Sequence, residues 1–83
     1  MILPNMAAAA VSRYTGAHGY NSTATTACAA SNQAMGEAVS VIRRGAADVM
    51  LAGGTEAGIS LLGLSGFAVM RALSTRNDEP QKA

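Results

Sequence analysis

Ser22-Thr23-Ala24-Thr25-Thr26-Ala27-Cys28-Ala29-Ala30-Ser31 is the stretch whose reading decides the fold. Ser22–Ala27 is rich in threonine, which suits a strand, and its small side chains suit close packing on both faces. From Ala29 the pattern changes. Ala34, Met35, Ala38, Val39 and Ile42 recur at helical spacing, predicting a helix over Ala29–Arg44. Arg43 and Arg44 fall in its last turn, where cations complement the helix dipole, and Gly45 is placed to end it. Stepping back along the Met35–Val39–Ile42 face reaches Asn32 and then Cys28, so the thiol is expected at the end of a buried stripe.

The single cysteine therefore stands where strand becomes helix. A thiol at a helix N-terminus faces unpaired backbone N–H groups and the positive end of the macrodipole, and both favour the nucleophilic thiolate. The plain alternative is a small buried hydrophobe in an alanine-rich stretch.

Beyond Gly45, Asp48–Ala52 is a short apolar run closed by Gly53-Gly54, as expected of a strand in a parallel sheet covered on both faces. Strand, helix and strand make a right-handed βαβ unit, so the fold class is read as α/β. Upstream, Asn5 is a candidate N-cap for a helix over Met6–Tyr14, with Gly16 to close it. Downstream, Gly54–Ser60 reads as a loop, Leu61–Leu73 as a helix weakened by Gly63 and Gly66, and Ser74–Ala83 as an irregular polar tail.

The bulk numbers set limits. The 83 residues make at most one small domain, and its core would be alanine, valine, leucine and methionine, since Tyr14, Tyr20 and Phe67 are the only aromatics. Such a core buries little area per residue, which points to a piece of something larger. A formal charge of +1, with Arg43-Arg44 the only adjacent basic pair, argues against a nucleic-acid or membrane-surface partner. One cysteine makes no internal disulfide. Met1-Ile2-Leu3 carries no basic leader, and Met6–Val11 is too short to span a bilayer, so a cytoplasmic location is expected, or an organellar one in a eukaryote.

Other motifs read blandly. Gly53-Gly54 lacks both GxGxxG and a Walker lysine, so a close backbone approach is expected rather than phosphate binding. Glu56 has no second carboxylate spaced to pair with it and is read as a loop hydrogen-bonding residue. His18 is read as a surface turn residue, Lys82 as part of the tail, and Ser31 and Asn32 as supports for the helix end.

Several ordered motifs taken together go further. Thr26-Ala27-Cys28-Ala29, the helix ending Arg44-Gly45, Asp48-Val49-Met50-Leu51-Ala52-Gly53-Gly54-Thr55-Glu56, Gly66-Phe67 and Arg71-Ala72-Leu73-Ser74-Thr75-Arg76-Asn77-Asp78 follow one another at consistent spacing. This series resembles the β-ketoacyl-acyl carrier protein synthases, most closely the elongating type I/II condensing enzymes of fatty acid synthesis. The resemblance runs from Asn5 to Pro80.

It implies a thiolase-like fold of two similar halves, of which residues 1–83 would be part of the first. It implies that Cys28 accepts an acyl group as a thioester from acyl carrier protein, the oxyanion being held by its own backbone N–H and by a second from the other half. The acyl-enzyme would then condense with a carbanion from malonyl-acyl carrier protein. Two histidines and a lysine of the second half would drive that decarboxylation, so this segment alone is expected to be inactive in condensation. Gly63 and Phe67 match positions near the acyl-chain pocket, and Ser22–Ala27 matches a strand that pairs across a homodimer. Neither a cofactor nor a metal ion is implied.

Related alternatives are a polyketide ketosynthase or a starter condensing enzyme, although Arg71–Asp78 leans towards the elongating enzymes. A non-catalytic thiolase-like scaffold is weighed against by Cys28 itself. A hydrolase elbow would want glycine two residues either side of Cys28, where Thr26 and Ala30 stand.

Overall fold

The structure is a computed structural model that describes residues 3–83, so Met1 and Ile2, on which the reading of a missing leader partly rested, lie outside the described residues. Three α-helices follow in order: α1, Met6–Thr15; α2, Ala30–Arg43; and α3, Leu61–Val69. Short 3-10 turns cover Ala27–Ala29 and Pro80–Lys82.

α1 begins and ends within a residue of expectation. Gly16 closes it in the left-handed conformation, φ 72°. Asn5 occupies the position before it, but its side chain makes no cap bond; its carbonyl accepts from the Ala9 N–H at 2.9 Å. α2 ends as a Schellman motif on Gly45, φ 70°. The Gly45 N–H reaches the Ile42 carbonyl at 2.9 Å and the Ala46 N–H reaches Val41 at 3.1 Å. α3 starts at the Ser60 cap, whose Oγ accepts from the Gly63 N–H at 3.1 Å, and stops at Val69, four residues before the expected Leu73. The tail is irregular as expected except for its 3-10 turn, which an exposed Lys82–Glu79 pair at 2.9 Å and an Arg76 Nη1 bond to the Lys82 carbonyl hold.

The expected strands are not formed. Among the described residues, Ser22–Ala27 and Asp48–Ala52 belong to no ladder, and no backbone hydrogen bond joins them. Ser22–Thr26 instead lies along α2, with the Ser22 hydroxyl donating to Glu37 Oε2 at 2.6 Å and the Thr26 hydroxyl donating to Gln33 Oε1 at 2.9 Å. The α/β reading of these 83 residues thus becomes an all-helical arrangement. The physical reason is cover. Parallel ladders persist when helices cover both faces of a sheet, and here a single helix, α2, serves two isolated segments, one of small residues and one apolar.

The buried face of α2 also differs from expectation. Ala38 and Val41 are buried, Val41 to 1% exposure, while Met35, Val39 and Ile42 are nearly half exposed. α2 carries apolar side chains on two sides, and this chain covers only the alanine side. Apart from the 3-10 turn running into α2, no two helices of the described residues approach within 8 Å between Cα atoms. An open groove of about 680 Å³, lined by Ala7, Ala8 and Val11 of α1 and Ala34 and Ala38 of α2, takes the place of a packed interface.

The dimensions agree. A compact chain of this length has a radius of gyration of about 12 Å, against 16.8 Å here and a long axis of 51 Å. α3 is the extreme case: Leu61 and Leu62 are 87% and 85% exposed. Each large apolar side chain left in water forgoes about 1.5–3 kcal/mol of burial.

Candidate active site

The backbone around Cys28 is built from a distorted turn. Ala27 has φ 52°, in the left-handed region, where a residue with a Cβ pays about 1–2 kcal/mol. Cys28 follows in the middle of the 3-10 turn, and the α-helix proper begins two residues later at Ala30. The thiol therefore lies on a short turn two residues ahead of α2 rather than immediately before its first residue. Two backbone bonds close the turn, from the Ala29 N–H to the Thr26 carbonyl at 3.1 Å and from the Ala30 N–H to the Ala27 carbonyl. The Cys28 N–H meets no backbone acceptor among the described residues.

Cys28 is free and exposed. It opens on a groove whose walls include Thr25, Ser31, Gly54, Thr55 and Glu56. The buried stripe on which the thiol was expected is thus the uncovered one, continuous with the exposed Met35, Val39 and Ile42.

At the far wall of the groove Gly54 faces a side chain, the Ser31 hydroxyl, rather than forming the tight turn of closely approaching backbones expected of Gly53-Gly54. A Cβ on Gly54 would collide with the Ser31 hydroxyl, whereas one on Gly53 would meet nothing within 4 Å. Ser31 lies in the first turn of α2, whose start has no side-chain cap bond. Glu56 behaves as a loop residue, its Oε1 accepting from the Ala57 N–H at 3.3 Å. His18 is exposed in the turn after α1 and lines no part of the Cys28 groove, and Lys82 pairs with Glu79.

Gly63 and Phe67 are not among the residues lining the Cys28 groove. Both lie on α3, where a Cβ on Gly63 would run into the Gly58 carbonyl and Phe67 is about half exposed, at 52%. Two further features organise the site without having been singled out in sequence. Gln33 and Glu37 carry no signal beyond their polar spacing of four, yet they hold Thr26 and Ser22. The left-handed Ala27 has no signal at all, because alanine does not favour that conformation.

Comparison with known proteins places the sequence in a family. The whole chain, residues 1–83, matches the family model described as "Beta-ketoacyl synthase, N-terminal domain". It is 51% identical over 81 residues to the chloroplastic 3-oxoacyl-[acyl-carrier-protein] synthase I of Arabidopsis thaliana, covering 98% of this chain and 17% of that protein. It is 46% identical over 78 residues to 3-oxoacyl-[acyl-carrier-protein] synthase 2 of Staphylococcus aureus, covering 94% of this chain and 19% of that protein. The chain spans less than a fifth of the length of these curated relatives. With its thiol on a strained turn ahead of a helix, and matched along its full length, the chain belongs to the beta-ketoacyl synthase family, within that family's N-terminal domain.

Proposed function

We propose that this chain supplies the nucleophile segment of an elongating 3-oxoacyl-acyl carrier protein synthase, with Cys28 as the residue that carries the acyl group. The observation that carries the reading is the position of Cys28, exposed on the Ala27–Ala29 turn ahead of α2 with its own N–H unengaged by the backbone.

In the first half-reaction the Cys28 thiolate adds to the carbonyl carbon of an acyl-carrier thioester. The oxygen takes the negative charge and is met by the Cys28 N–H, a donor already in place before charge develops. Collapse of the tetrahedral species breaks the bond to the carrier sulfur, which departs as a thiolate and takes up a proton. In the second, malonyl-acyl carrier protein loses carbon dioxide, and its carbanion attacks the Cys28 thioester. The C–S bond breaks, Cys28 is regenerated, and the product is a 3-oxoacyl-carrier lengthened by two carbons. His18 does not line the groove and is assigned no part in decarboxylation; that step belongs to residues beyond this segment.

For the whole protein we infer an α/β, thiolase-like architecture in which Ser22–Ala27 and Asp48–Ala52 pair as strands, the former across a homodimer. Gly63 and Phe67 are assigned to the acyl-chain pocket. No helix among the described residues is long and apolar enough to cross a membrane, and a cytoplasmic or organellar setting is inferred.

The test is intact-mass and peptide mass spectrometry of the full-length protein after exposure to an acyl-carrier thioester. A single acyl adduct on Cys28, absent from Cys28→Ala, is expected, with condensation falling at least about a thousand-fold in that variant. An adduct on another residue overturns the proposal.

A further inference from the structure

The turn that presents Cys28 is spanned by one side-chain bond. The Thr26 hydroxyl, immediately before the left-handed Ala27, donates to Gln33 Oε1 at 2.9 Å. Everything between the two partners, including Cys28 and the start of α2, lies inside the loop that this bond closes. One helical turn further on, Ser22 holds Glu37 at 2.6 Å, so both bonds land on the same stripe of α2. The chain leading into the turn is thereby tied to α2 on one side of Ala27, while the Ala29 and Ala30 N–H bonds tie it on the other.

We propose that Thr26 and Gln33 are positioning residues for Cys28: their bond holds Ala27 in its left-handed conformation, which in turn directs the Cys28 thiol and N–H at the acyl carbonyl. Backbone conformations of this kind persist where surrounding bonds over-determine them, and they recur where a reactive group must be aimed. The inference rests on Cys28 being the acyl acceptor. Gln33 touches no reacting atom and acts through Thr26.

The test is the single-turnover acylation rate of Cys28 in the full-length protein. Thr26→Val keeps the side chain's shape and removes its donor. The acylation rate constant at saturating acyl-carrier thioester is expected to fall about ten- to a hundred-fold, with half-saturation little changed. Gln33→Leu should do the same, the double variant should be no worse than either single one, and Thr26→Ser should retain the rate.

The deciding variant is Ala27→Gly added to Thr26→Val. Glycine adopts the left-handed conformation without a clamp, so it should restore most of the rate. Wild-type acylation in Thr26→Val, or a loss that Ala27→Gly leaves unrepaired, overturns the proposal. Iodoacetamide alkylation of Cys28, run on the same variants, keeps the two readings apart. If the wild type alkylates at Cys28 but takes no acyl group, the acyl-acceptor reading fails. The alkylation rates, expected in the same order, then decide the clamp by themselves.

Discussion

α2 and α3 end in the same hydrogen-bonding motif on different residues. At the end of α2 the left-handed position is Gly45, with bonds of 2.9 and 3.1 Å back to Ile42 and Val41. At the end of α3 it is Arg71, φ 56°, with bonds of 2.9 Å to Ala68 and 3.0 Å to Phe67. The geometry is common to both, but only one uses the residue that adopts it freely. Their sides differ as well. α2 has one covered apolar stripe, at Ala38 and Val41, and one uncovered; α3 has none covered. Leu61, Leu62, Leu64, Phe67 and Val69 point around its whole circumference, and a helix apolar on every side belongs in an interior. α2 is thus half supplied with neighbours by this chain, and α3 not at all.

The largest expected effect tests that asymmetry. In the full-length protein, Leu62→Ala should lower stability by about 2–5 kcal/mol, the cost of emptying a filled core site. In the structure of this segment the same side chain is 85% exposed. A urea-unfolding comparison with wild type reads the difference. A change within about 0.5 kcal/mol, typical of surface positions, would mean that α3 stays wet in the whole protein, and its apolar girth would then need another explanation.

A second comparison sets one glycine from each helix side by side. A Cβ on Gly63 of α3 would strike the Gly58 carbonyl, which is backbone and has no rotamer to move into. Gly63→Ala should therefore destabilise by about 1–3 kcal/mol. Gly36 of α2 has nothing within 4 Å of its would-be Cβ, so Gly36→Ala should stabilise by about 0.5–1 kcal/mol through helix propensity alone. The two shifts in urea midpoint should have opposite signs. A loss at Gly36 would place a neighbour from outside these residues hard against α2.

Legibility followed the same physical divide. α1 and α2 were readable to within a residue or two because Gly16 and Gly45 mark their ends with the residue type that the geometry prefers. α3 ran on to Leu73 in sequence because arginine at position 71 announces no stop. Cys28 stands out as a candidate from its neighbours, but its strained turn does not, since Ala27 carries no sign of a left-handed backbone and the Thr26–Gln33 bond depends on the turn already being made. Ser22–Ala27 and Asp48–Ala52 were read as strands from composition. Composition reports what a segment suits; a ladder needs a partner beside it, which among the described residues is absent. The Met35–Val39–Ile42 stripe failed likewise, because periodicity tells which residues share a face and not which face is covered.

The smallest effects lie in the two caps. Gly45→Ala forces an alanine into the left-handed region and should cost about 1 kcal/mol, the strain being partly offset by the lower entropy of the unfolded chain. Arg71→Gly runs the opposite way and should stabilise by about 0.5–1 kcal/mol if backbone strain is all that distinguishes the two ends. Both are read as midpoint shifts in urea at unchanged slope. Equal and opposite shifts make the caps equivalent, and the arginine is then simply a costlier occupant. A destabilising Arg71→Gly would break the equivalence. The side chain at 71 would then be making contacts in the full-length protein worth more than the strain it imposes, and the left-handed turn would be what aims the guanidinium at them.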